Sequence, residues 1–296
     1  MDLGKLRNAF KSLLRAFKSD VPPEWWRDAR QLNSLLSGAW EEVSSDFLMD
    51  IEVALRNKDF ERMAELTNSV NSLGPEMSAS ITDKTEAIFT SVQNKALAAW
   101  TLHGREVLGV EDIKGFGTDY QEFLVNSHAE QVKKFTEINP GRILHPQIEK
   151  QIQYLREAEN VISIDIDLIA ERLQRIVKQE PYWEGLSDVQ VARLWNADGI
   201  LLAHENGVKI GVIVGPDDKK TCPVCSRMLG THVYIQQAVD KIKSDVGITD
   251  PEEYVKAWPF PRIQDVDNIS SDERAAKGYW PPYHSRCRHD VAWLAK

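Results

Sequence analysis

Apolar residues recur every three or four positions along the first 160 residues, the spacing of amphipathic helices. Leu3, Leu6, Phe10, Leu13, Leu14 and Phe17 form one stripe beside Lys11, Arg15 and Lys18, and Pro22 and Pro23 end it. Phe47, Leu48, Ile51, Ala54 and Leu55 form a second stripe. Phe60, Met63 and Val70 form a third, with Gly74 and Pro75 as its predicted stop. Asp83 and Glu86 have capping-box spacing, which predicts a new helix start ahead of Ile88, Val92, Ala96 and Trp100. Weaker patterns predict helices over 119–137 and 147–158, with Pro146 suited to a first helical position. Glycine and proline placement makes 104–118 and 138–146 the expected loops.

The second half changes period. Leu168, Ile169, Leu173, Ile176 and Val177 predict a helix that Pro181 ends, and Ser187 with Gln190 predicts another capped helix running to about His204. Asn206 and Gly207 signal a turn. Val208, Ile210, Val212 and Val214 then alternate with small or polar residues, which is strand period. A turn at Gly215 to Asp218 follows, then a short β-like stretch from Thr231 to Ile235 and a helix near 236–247. A loop rich in proline and aspartate is expected to reach about 283, and a final short helix is expected to begin at His284 and Cys287. The fold class expected is α+β, with a helical region over 1–150 and a small α+β domain over 151–296.

Composition narrows the picture. The chain has 296 residues, 42% hydrophobic and 27% charged, with a net charge of −9. Split at residue 140, it carries 16 basic and 22 acidic residues before and 20 and 23 after, so both halves are acidic. A dedicated duplex binder shows a basic footprint, so any contact with DNA must be local. No apolar run reaches the ~18 residues of a membrane span, and no secretory signal is visible. The basic stripe over 1–18 has the pattern of a core-packing first helix, or of one that docks in a partner's groove. Stable membrane association is not expected from its five basic residues.

All three cysteines lie in the last 75 residues, and an odd number argues against a disulfide framework. Cys222 and Cys225 have a two-residue gap, which lets a tight turn aim both thiolates at one ion. His284 and Cys287 repeat that gap after 58 intervening residues. A strand-turn knuckle and a helix start would then clamp one Zn²⁺ per chain, as in treble-clef sites, and His289 is a rival fourth ligand. Four protein ligands leave no open position, so the site reads as structural rather than catalytic, and folding of this half would depend on metal. Trp280 and Trp293 bracket the second pair and could shield the metal. Arg286 and Arg288, interleaved with the ligands, could touch phosphate or offset thiolate charge.

The run from Gly211 to Gly230, with Cys222, Pro223 and Cys225 after an Asp-containing turn, resembles the tailed-phage minor head (head morphogenesis) family, the Mu F-like group. That family carries a later Pro-Pro-x-His-x-x-Cys-Arg-Cys motif. Here it reads Pro281, Pro282, His284, Cys287, Arg288 and His289, with histidine in place of the last cysteine. The likeness spans about 165–294. It implies a virion structural protein with no enzymatic step, present in few copies per head. Such a protein associates with the portal and other head proteins in procapsid assembly and in DNA packaging or delivery. Its location would be the virion head, and the host cytoplasm during assembly. Two alternatives stay open on the residues alone: a metal-dependent nuclease or toxin-like domain, and a cellular zinc-stapled adaptor.

Overall fold

The computed structural model describes residues 25–158, 166–178 and 180–294. The stripe from Leu3 to Phe17 and its predicted end at Pro22 and Pro23 lie outside the described residues. Helix α1 covers Trp26–Arg56 and α2 covers Phe60–Leu108. Helix α3 (Thr118–Asn139) passes through a π-helical segment (Pro140–Leu144) into α4 (His145–Ala158). Helices α5 (Ile166–Lys178) and α6 (Glu180–Glu205) follow. The remainder runs β1 (Ile210–Val214), α7 (Pro223–Met228), β2 (His232–Tyr234), α8 (Ile235–Asp245), α9 (Pro251–Ala257), α10 (Ile263–Val266), α11 (Ser271–Ala276) and β3 (Asp290–Trp293). The described residues are therefore mainly helical, with one small antiparallel sheet in strand order β2-β1-β3. No helix among the described residues is long and apolar enough to cross a membrane.

Helix α6 is the centre of the packing. Every residue from Leu186 to Ala203 is buried, and the helix touches α1, α2, α3, α8 and β3. A helix covered on all sides needs no polar face of its own. Its buried polar residues instead pin neighbouring elements. Asn196 Nδ2 donates to Asp290 Oδ1 at 3.2 Å, and Asn196 Oδ1 accepts from the Val291 amide at 3.0 Å. One buried apolar cluster runs from Trp25 through to Trp293. Trp40 Nε1 donates to the Val177 carbonyl at 2.6 Å, and Trp100 Nε1 to the Trp195 carbonyl at 2.9 Å.

Several expected boundaries do not occur. Helix α2 runs straight through Gly74 and Pro75. A Cβ on Gly74 would lie 2.2 Å from the Glu137 carbonyl oxygen, so this glycine admits the backbone of α3 rather than ending a helix. Asp83 and Glu86 are exposed in mid-helix; the true cap is Asp59, whose side chain accepts from the Arg62 amide at 2.9 Å. The loop expected over 104–118 is helical to Leu108 and turns at Gly109, in the left-handed region at φ 68°. The loop expected over 138–146 is continuous helix, loosened by one π turn. Helix α6 contains Pro181 in its first turn, where a missing N–H is tolerated, and Ser187 and Gln190 lie buried inside it. The stretch expected as loop to 283 holds α9, α10 and α11. Asp250 caps α9 and Ser270 caps α11.

The final helix expected at His284 and Cys287 is instead a turn leading into β3. Strand β3 pairs antiparallel with β1, Gly211 opposite Trp293 and Val214 opposite Asp290. All four residues of β3 are buried, so it lacks the in-out alternation by which a strand is read from sequence.

Candidate metal centre

Strand pairing delivers the two Cys/His pairs to one place. Val214 at the end of β1 lies opposite Asp290 at the start of β3. The chain leaving β1 therefore turns back over the chain entering β3. On the first side, Asp218 organises the turn by accepting from the Lys220 amide at 2.8 Å, and Thr221 Oγ1 donates to the Pro216 carbonyl at 2.8 Å. Cys222 then caps α7, its sulfur accepting from the Cys225 amide at 3.4 Å. The helix start thus belongs to the first pair, not to the second as expected. On the second side, Arg286 adopts the left-handed region at φ 60°, which bends residues 284–287 into a tight turn.

Five donors gather there in two triads that share Cys225. Cys222, Cys225 and His284 form one, and Cys225, Cys287 and His289 the other. His284 Nε2 lies 3.2 Å from Cys222 Sγ and 3.0 Å from Cys225 Sγ. Cys287 Sγ lies 3.8 Å from both Cys225 Sγ and His289 Nδ1. Tetrahedral zinc, with bonds of ~2.3 Å to sulfur and ~2.0 Å to nitrogen, implies edges of roughly 3.8 Å between sulfurs and 3.5 Å between sulfur and nitrogen. The spacings within each triad come within about 0.5 Å of these edges, but the donors do not form one group of four: Cys287 joins Cys225 and His289 rather than Cys222 and His284. The cluster could hold a metal ion.

The surroundings orient the ligands. His284 Nδ1 donates to the Ser285 carbonyl, which leaves Nε2 free to face the two sulfurs. His289 is buried, and its Nε2 finds no partner among the described residues. Its ring lies against Gly215, where a Cβ would come within 2.4 Å of it. The thiols do not ionise independently. The hydrogen bond to Cys287, reinforced by burial, pushes the Cys225 thiol far up. Burial opposes ionisation of Cys287, but the hydrogen bonds from Cys225 and His289 hold its thiol well below the ordinary range. The Tyr283 hydroxyl is pushed well above 10 by burial, then by the charges of Cys287 and Cys225.

Both arginines interleaved with the ligands are held in ion pairs. Arg288 grips Asp218 with two bonds of 2.8 and 2.6 Å, tying the first ligand turn to the second. That pairing holds the Asp218 carboxyl well below the usual range. Arg286 binds Glu184 on α6, and its amide donates to Asp188 at 3.0 Å. Burial pushes Asp188 up to about 6 despite that bond. None of these ties was read from the sequence; only the Arg288–Asp218 pair leaves a trace there, an acidic residue near one ligand pair and an arginine beside the other. Trp293 is buried, 2% exposed, but stacks on Trp100 and donates to the Gly199 carbonyl at 3.1 Å, inside the helical core. Trp280 packs edge-on to Trp258. The acidic residues 252, 253, 265 and 267 sit at helix starts or pair with Arg227, as caps and surface ties.

Compared with protein-family models, curated proteins and solved structures, the chain matches none.

Proposed function

We propose that this centre holds one structural zinc ion through Cys222, Cys225, His284 and Cys287, with His289 as the alternative fourth ligand. The protein then acts as a minor head protein of a tailed phage, at the portal, in procapsid assembly and DNA packaging or delivery. The observation that carries the reading is the meeting of the two motifs. Residues about 60 positions apart converge with sulfur and nitrogen atoms at 3.0–3.8 Å. Those are the motifs on which the family resemblance rests. Bound zinc would supply a cross-link between the β1–α7 turn and the turn before β3. Three thiolates and one imidazole fill a tetrahedral shell, so the reading assigns no enzymatic step. A local DNA contact would have to use surface other than Arg286 and Arg288, whose guanidinium groups are paired.

The test is to look for the chain in purified heads of its phage and to co-express it with that phage's portal protein. The reading expects a few copies per head and co-purification with the portal. Heads that lack the chain, and that assemble and package normally when it is deleted, would overturn it.

A further inference from the structure

A cavity of about 280 Å³ opens beside the metal loop, close to the ~300 Å³ at which small-ligand sites begin. Tyr182, Tyr254, Trp258 and Phe260 give it aromatic walls, and Ser285 of the loop lines one side. Val255, 57% exposed, stands at its mouth. Two polar side chains from α6 line it as well, Gln190 and Arg193.

Arg193 is only 5% exposed. Its guanidinium lies 4.8 Å from the Tyr254 ring, 5.0 Å from Trp258 and 5.6 Å from Phe260. One nitrogen, Nη2, donates to the Trp258 carbonyl at 3.1 Å. The other, Nη1, is buried without a partner among the described residues. Guanidinium stays charged in proteins, and a buried charge without a counter-ion is strongly unfavourable. Cation–π contact with three rings offsets part of that penalty but supplies no anion. Among the described residues no carboxylate pairs with Arg193. Gln190 shows the same lack. Its Oε1 accepts from His128 at 2.8 Å and from Tyr254 at 3.4 Å, while its Nε2 has no partner among the described residues. Both unmatched groups are donors, and one is cationic. A neighbouring void of about 10 Å³ that Arg193 also lines is too small for an organic counter-ion.

We propose that this cavity binds an apolar carboxylate: the carboxylate is held by the uncompensated charge of Arg193 in the cavity wall, and an aromatic or branched apolar body fills the space between the rings. The same chemistry occurs in a free aromatic acid and at a polypeptide's C-terminus after an apolar residue. This inference does not depend on the phage reading.

The full-length protein should be titrated by calorimetry with 3-phenylpropionate and with a short peptide ending in a free leucine. Each should be paired with its neutral C-terminal amide, with tryptophan fluorescence as a second readout. At least one free carboxylate should bind, and its amide should bind about ten- to a hundredfold more weakly. Tighter binding of the small acid would identify a metabolite-type ligand, and tighter binding of the peptide a partner's chain end; either supports the proposal. Arg193→Met should weaken binding by a similar factor. Val255→Glu, at the exposed mouth, should weaken it by like-charge repulsion even if Arg193→Met fails to fold. Equal binding of acid and amide, no binding of either acid, or unchanged affinity in Val255→Glu would overturn the proposal.

Discussion

Gly74→Ala should destabilise the protein and Gly38→Ala should stabilise it, although each places alanine inside a long helix. Alanine is intrinsically better than glycine in a helix by about 0.8–1 kcal/mol. Gly38 lies on the exposed side of α1, and a Cβ there meets nothing within 4 Å. The full intrinsic gain should appear. At Gly74 the new Cβ would stand 2.2 Å from the Glu137 carbonyl oxygen and 2.9 Å from that of Thr136. Both atoms are backbone of α3 and cannot swing aside. The two helices would have to part by about 1 Å at this point, and overpacking of that kind costs about 1–3 kcal/mol or more. Parting them would also stretch the 3.2 Å bond from Ser78 to Glu137. The net expectation is a loss of roughly 1–2 kcal/mol for Gly74→Ala, against a gain approaching 1 kcal/mol for Gly38→Ala. Urea unfolding followed by far-ultraviolet circular dichroism reads both as midpoint shifts of opposite sign. A Gly74→Ala protein as stable as wild type would refute the close approach of α2 to α3.

Two further predictions concern buried polar groups. Burial holds His128 down to about 4, against an ordinary 6.5. The unfolded chain therefore takes up a proton that the folded chain refuses, so this contribution is present above pH 6.5 and is lost as pH falls to about 4. It amounts to roughly 3 kcal/mol in all. The stability difference between wild type and His128→Gln should shrink by that amount between pH 7 and pH 4, and a pH-independent difference would contradict the neutral buried imidazole. Asn196→Ala should cost about 2–3 kcal/mol, because it strands the Val291 amide and removes a partner of Asp290. If β3 is held as described, limited proteolysis should also release the segment after Cys287 faster in that variant.

What was legible in the sequence was local. The stripes at Phe47 to Leu55 and Leu168 to Val177, the turn at Asn206 and Gly207, and the alternation leading to Val214 all depend on neighbours a few residues away. What was not legible depends on partners far along the chain. Gly74 and Pro75 look like a helix stop until α3 is placed on them. Ser187 and Gln190 look like a helix start until α6 is seen to be covered on every side, where Gln190 takes hydrogen bonds from His128 and Tyr254. Asp290 to Trp293 looks like a helix turn, because a strand buried on both faces shows no alternation, and only β1 decides the matter. The same division holds at the metal centre. Residue type and two-residue gaps single out Cys222, Cys225, His284 and Cys287 as donors, with His289 beside them. Their division into two triads hinged on Cys225, the grip of Arg288 on Asp218, and the hold of α6 on the Arg286 turn are properties of the folded chain.

The most direct test of the account is the metal content of the full-length, untagged protein, measured beside Cys222→Ser, Cys287→Ser and His289→Ala. The account predicts about one zinc per chain in the wild type. Zinc should be lost in either cysteine variant, together with protease resistance around the turn before β3, and retained in His289→Ala if His284 is the fourth ligand. A well-folded wild-type protein that binds no zinc at neutral pH would contradict the structural metal centre, and with it the main support for the minor head reading.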